Sequence, residues 1–598
     1  MDVQEHKLQV KLVSDMEKVF PSRKPSEDGA VSRLTALKGE TVSFQIAYYG
    51  DVERKQRGTV RIEAPDGIKV RVKKVGLVPC AYPCHMERDE GYLATEPGLY
   101  PDLLEDLREF GFPIISGQWR SLWIDIETTE DTPAGEYPVK IILESQAHAP
   151  RMRPLFAEAD ITAEILNTAL PELKIRHTEW FHCDCLAEYY GVEVFSERHW
   201  EIIENFVRHA VKRGCNMLLT PVFTPPLDTA VNGERRTVQL VDVTVTDQGY
   251  EFGYDRFRRW VEMCRRCGIR YFEISHLFSQ WGAKAAPKIV GRVNGKERKI
   301  FGWETRADGE EYRKFLQAFL TSFTEEIERL GIGKQCYFHI SDEPEEKDLE
   351  SYIHAKNLVK ESLSGYRMID ALSEYRFYEQ GAVEEPVCAN DHIEPFLKNR
   401  PPRLWTYYCT AQHLEVSNRF IALPGFRTRI LGIQLYKYAV SGFLHWGYNF
   451  YNSEFSLYPI DPYQCTDADG AFPSGDPFLV YPGKSGKPVD SIRSMLMEKA
   501  MADLRAMDHL ENLTDRETVI KCLMEEEHGE ITFRAYPQKA SYLVEVRENI
   551  NAAIRAAISK NARKLPRSGN LYDLFLVGDP FTAVFEINDP APGKLAFL

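Results

Sequence analysis

Over roughly the first 170 residues, apolar and polar positions alternate in short runs. Residues 8–12, 41–47, 60–62, 68–72, 119–126 and 137–143 keep period two, the signature of half-buried strands. The turn cluster Thr132-Pro-Ala-Gly-Glu136 separates the last two runs. This grammar predicts an N-terminal β-sandwich over residues 1–170. One stretch, Tyr82 to Ser116, breaks the alternation and is rich in Pro, Gly, Tyr and acidic residues. It reads as a long loop leaning on the mouth of the next domain.

From about residue 175 the pattern changes to strand, helix, strand. Eight apolar runs read as strands: 175–182, 217–223, 270–278, 336–341, 367–372, 386–390, 404–409 and 442–448. Between them lie helical spacings. In 310–330 the apolar residues Leu316, Phe319, Leu320, Phe323, Ile327 and Leu330 recur at intervals of three and four, and Gly331 supplies a stop. Similar patterns cover 349–363 and 490–509. Eight such units predict a (β/α)8 (TIM) barrel with enlarged loops over residues 171–510. The fold class is therefore multidomain, an all-β domain followed by an α/β barrel. Residues 511–598 read as a small extension, with a strand at 530–534 and an amphipathic helix at 539–560.

Composition narrows the function. The chain has 598 residues, 43% hydrophobic and 12% aromatic, enough for large cores. Its formal net charge of −15 argues against nucleic acid or an anionic membrane as partner. No run reaches the roughly 18 apolar residues of a membrane helix. The start, Met1-Asp-Val-Gln-Glu-His-Lys7, lacks the pattern of a signal peptide, so a cytoplasmic protein is expected. The 12 cysteines include Cys183-Asp-Cys185 and Cys264-Arg-Arg-Cys267, but no second pair stands at zinc-site spacing. They read as reduced core cysteines, and neither metal nor cofactor is expected.

In a barrel of this kind, chemistry sits at the C-terminal ends of the strands. The fourth strand ends in Asp342-Glu343-Pro344. Two adjacent carboxylates resist simultaneous ionisation, which suits acid/base work. The plainer reading is a helix N-cap pair. The other strand tips carry aromatic rings, which suit the C–H faces of a sugar, and amides, acids and imidazoles, which suit its hydroxyls. Thr220, His276, Asn390, Asp391, Trp405, Tyr407, Trp446, Tyr448 and Asn449 are the substrate-binding candidates, with Asp342 and Glu343 as the catalytic pair. Glycoside hydrolysis usually takes two carboxyls flanking the bond. The seventh strand, where a nucleophile commonly stands, has none. Adjacent Asp and Glu fit the exception in which the substrate's own 2-acetamido oxygen attacks.

These residues also carry a resemblance. Thr178-Glu-Trp-Phe-His-Cys-Asp-Cys185, Leu219–Asp228, Ile340-Ser-Asp-Glu-Pro344, Leu444-His-Trp-Gly-Tyr-Asn449 and Phe472-Pro-Ser-Gly-Asp476 resemble glycoside hydrolase family 123, over residues 1 to about 550. The resemblance implies an exo-acting β-N-acetylgalactosaminidase that retains configuration through an oxazoline. Asp342 would orient the acetamide and Glu343 would be the acid/base. The implied partner is a glycan with a non-reducing terminal 2-acetamido sugar. Competing readings are a retaining glycosidase with Asp370 or Glu273 as nucleophile, a metal-dependent hydrolase built on His182, Asp184 and His276, and a non-catalytic sugar-binding protein.

Overall fold

The computed structural model describes residues 8–564 apart from 52–55, 109–110 and 147–153, with side chains to residue 560; the expected tail beyond lies outside the described residues. The N-terminal part is two five-stranded sheets packed across one core. Phe44 and Ile46 pair with Ile124 and Leu122 and point into that core. Trp123, between them, points the other way and joins the barrel's hydrophobic cluster. Period two thus serves two interfaces at once, because the back of this sheet is covered by the barrel.

The segment from Tyr82 to Ser116, expected as a loop, contains strands Gly98–Asp106 and Phe112–Ile114. Pro101 and the buried Asp102 interrupt the apolar rhythm. Pro101 is tolerated because Gly98–Asp106 is an edge strand. Asp102 is paired across the interface with Arg493 at 2.9 Å. The segment does meet the barrel mouth: a ring nitrogen of His85 lies 3.0 Å from the Thr410 carbonyl, and Tyr92 donates to the His413 carbonyl.

All eight runs read as barrel strands form a closed parallel barrel. Its strands are Arg176–Glu179, Met217–Thr220, Tyr271–Ile274, Cys336–Phe338, Arg367–Leu372, Glu385–Ala389, Trp405–Tyr407 and Gly442–His445. The first pairs with both the second and the eighth, which closes the ring. Met217, Leu219, Tyr337, Ile369, Val387, Trp405 and Leu444 fill the bore. Helices such as Glu197–Lys212, Glu310–Arg329 and Leu349–Val359 lie between strands, while Tyr375–Glu379 and Glu394–Asn399 are only one or two turns. The loops after strands two and three add an unanticipated four-stranded sheet, Asp242–Thr246, Gly249–Gly253, Ile289–Val293 and Lys296–Phe301.

Residues 530–534, expected as a strand, join no sheet. The Ile531 carbonyl accepts from Lys437 Nζ and the Tyr438 hydroxyl, and its N–H donates to Glu525, so side chains replace a ladder. The last described helix, Ala540–Lys564, bridges the two parts. Its Arg547 binds Glu40 at 2.7 Å and Asp503 at 2.9 Å. No described helix is long and apolar enough to cross a membrane.

Candidate active site

The fourth strand's ladder stops at Phe338, and the chain beyond it bends but stays pinned. The Ile340 N–H donates to the Asp370 carboxylate at 3.1 and 3.2 Å. The Asp342 carbonyl accepts from the Trp281 N–H at 2.9 Å, and the Glu343 N–H donates to the Ala371 carbonyl at 3.2 Å. Glu343 has φ +41°, a left-handed conformation rare for a non-glycine residue. The next α-helix begins only at Leu349, with Asp348 at its N-cap, so Asp342 and Glu343 cap no helix.

Both carboxyls line one cleft of about 680 Å3 at the C-terminal mouth of the barrel. Trp180, Trp281, Trp446 and Phe472 supply its aromatic walls, and Asp228, Gln280, Tyr407 and Thr410 its further polar groups. Tyr407 donates to Glu343 Oε1 at 2.6 Å. Desolvation raises the Glu343 carboxyl above the usual carboxylate range; the Tyr407 bond opposes this and the charge on Asp391 adds to it. Asp342 is pushed well up, by desolvation first and then by the Glu343 charge, against the pull of His339.

Beneath the pair lies a buried network. The His339 ring nitrogens contact Asp370 at 2.9 Å and Glu273 at 2.7 Å. Burial alone would lower this imidazole, but the two carboxylates hold it at about 10. Glu273 also accepts from Thr178 at 2.5 Å and from the Trp180 indole at 2.6 Å. Asp370 also accepts from the Tyr352 hydroxyl. His276 stacks on His339, centroids 4.2 Å apart at 24°, and burial and that neighbour's charge keep it neutral. His276, His339 and Asp370 bring ligand atoms within 4.8 Å of one another. Lone pairs of near-parallel rings 4.2 Å apart do not converge on one ion, and both His339 nitrogens are engaged, so the set reads as an ion-pair network. The His182–Asp184–His276 metal reading also fails, because the guanidinium of Arg235 sits on Asp184 and His182. The 12 cysteines are free thiols, nine of them buried.

Of the predicted binding residues, Tyr407 and Trp446 line the cleft. Asp391 lies close enough to act on Glu343. The others do not reach the cleft lining. Trp405 is two residues before Tyr407, hence one layer or roughly 6.5 Å deeper, and packs in the bore against Tyr337. Thr220 bonds to the Leu218 carbonyl and the Trp260 indole, and Asn390 to Ser417. Tyr448 points outward to the Phe206 carbonyl, and Asn449 braces the backbone of His182. His276 is fully beneath the site. Trp180, Asp228, Gln280, Trp281 and Phe472 were not selected, although each stands in a strand-tip stretch or in one of the five motifs. Trp446 is oriented by Asp476, whose carboxylate accepts from its indole at 3.0 Å.

A family model, glycoside hydrolase 123 catalytic domain, matches residues 180–510. The protein is a glycoside hydrolase. It belongs to glycoside hydrolase family 123. Among solved structures, a family 123 glycoside hydrolase from Clostridium perfringens, studied for glycolipid glycan hydrolysis, aligns at TM-score 0.68 and 15% identity, over 93% of this chain and 98% of that one. At that identity the likeness speaks to the fold. The chitinase ChiW of Paenibacillus sp. str. FPU-7 aligns at TM-score 0.21 and 11% identity, over 94% of this chain and 57% of that one, too weakly to carry an argument. No curated protein sequence matches.

Proposed function

We propose that the enzyme releases terminal β-linked N-acetylgalactosamine from the non-reducing end of glycans by substrate-assisted catalysis. One observation carries the reading. Asp342 and Glu343 both open onto the cleft, whereas Glu273 and Asp370, the alternative nucleophiles, lie beneath it with their oxygens engaged.

In this reading the acetamido oxygen attacks C1 as the glycosidic bond breaks, and Glu343 gives its proton to the departing oxygen. Asp342 accepts the acetamide N–H, which favours its ionised form and leaves the pair's proton on Glu343. The developing positive charge is shared with Asp342, a contact that strengthens in the transition state. Water then opens the oxazolinium at C1, with Glu343 taking its proton. Two inversions give net retention. A panel of aryl β-GalNAc, β-GlcNAc and β-Gal substrates tests the proposal. Turnover of the 2-acetamido sugars alone is expected, with β-GalNAc preferred, and equal turnover of the β-galactoside would refute it.

A further inference from the structure

Two acceptor atoms in the cleft wall stand unpaired. Asp228 Oδ2 and Gln280 Oε1 are buried and have no hydrogen-bond partner, and both residues line the same cleft as Asp342 and Glu343. A buried acceptor left without a donor has lost its hydration with nothing in return, so such atoms call for an explanation.

Their orientation is fixed by the protein. Gln280, 3% exposed, gives its Nε2 to the Thr229 carbonyl at 2.8 Å. Turning the amide over would set oxygen against oxygen, so Oε1 is held as an acceptor. Asp228 has φ +39°, a conformation Asp tolerates better than most residues. Its carbonyl is tied by Ser456 Oγ at 2.7 Å, and Arg235 braces the preceding carbonyl at 2.8 Å. The Arg235 charge favours the ionised Asp228 carboxylate, but its N–H groups are given to Asp184, His182 and the Leu227 carbonyl rather than to Asp228. Desolvation outweighs that charge and the Phe455 backbone donor and lifts the Asp228 carboxyl to about 6. Because the Phe455 backbone N–H acts on the Asp228 carboxyl, the unpaired acceptors are single atoms, Asp228 Oδ2 and Gln280 Oε1. Two fixed acceptor atoms of this kind are complementary to hydroxyl groups.

We propose that Asp228 and Gln280 recognise hydroxyls of the sugar ring bound in the cleft and so set its specificity. The sugar's identity as a 2-acetamido glycoside rests on the reading above; hydroxyl recognition does not. A site built to hydrogen-bond a substrate hydroxyl strongly rejects an analogue lacking it, because its own polar groups are then stranded.

The test pairs protein variants with hydroxyl deletions. Values of kcat/KM are measured for 4-nitrophenyl β-GalNAc and its 3-, 4- and 6-deoxy analogues with wild type, Asp228→Asn and Gln280→Met. Asn keeps the size and the left-handed tolerance of Asp. At least one deoxy analogue should fall roughly 10²-fold or more with wild type. The same deletion should cost much less in the variant that has lost the matching acceptor. Such coupling would not arise from a merely structural role. Losses that simply multiply for every hydroxyl in both variants would overturn the proposal. If no 2-acetamido sugar is turned over, the functional reading fails, and the same cycle on the aryl glycoside that is hydrolysed still decides this one.

Discussion

Tyr407 donates its phenolic hydrogen to Oε1 of Glu343 at 2.6 Å, from the seventh barrel strand to the tip of the fourth. The position that commonly supplies a nucleophilic carboxylate here supplies a hydroxyl to the proposed proton donor. A donated bond favours the ionised carboxylate, so it holds the Glu343 pKa below what burial alone would set. Tyr407→Phe should therefore raise that pKa and move the alkaline limb of the kcat/KM profile to higher pH. A pH–rate profile checks this; an unmoved limb, or one shifted downward, would count against the assigned proton donor.

Glu343→Gln removes the proposed general acid while keeping its shape. General acid catalysis is worth on the order of 10²–10⁴-fold. Turnover of natural glycosides with poor leaving groups should fall by that order, and aryl glycosides with good leaving groups should lose far less. Single-turnover rates on both substrate types separate the two cases.

His339 gives a signature in stability. Its folded pKa, about 10, stands above the ordinary 6.5, so the folded state binds the extra proton between those values. The imidazolium's contribution is complete below about pH 6.5 and is lost as pH rises through about 10. His339→Gln should be less stable at neutral pH and should lack this alkaline decline. Tm against pH for both proteins tests it; parallel profiles would contradict the ion-paired imidazolium.

Asp102 and Arg493 join the N-terminal sheets to the barrel, both fully buried. Asp102→Ala leaves a buried guanidinium charge without its partner and should cost about 3–5 kcal/mol, read by denaturant unfolding. Deleting residues 1–170 should give an insoluble barrel, because the surface packed against Trp123 and Leu104 would be exposed.

The eight barrel strands were legible because each is buried on both faces and reads as a compact apolar run. The Asp342-Glu343 tip was legible because two acids and a proline end such a run. Which tip residues face the cleft was not. Trp405 and Tyr407 share a face of one strand, and only their depth in the bore separates filler from site. Past His445 the ladder ends and period two ends with it, so Tyr448 and Asn449 looked equivalent to Trp446. The strand at 98–106 was hidden by Asp102, whose burial depends on an arginine 391 residues away. The hairpin Ile289–Phe301 did carry a signal: Asn294-Gly295, both at positive φ, is the commonest tight-turn pair.

The central claim is that the substrate's own acetamide oxygen is the nucleophile. The most direct measurement is kcat/KM for aryl β-GalNAc glycosides carrying acetyl, fluoroacetyl, difluoroacetyl and trifluoroacetyl groups on nitrogen. Each fluorine withdraws electron density from the carbonyl oxygen, so substrate assistance predicts a steep, stepwise fall along the series. A flat series would contradict the account and return the search to a carboxylate nucleophile.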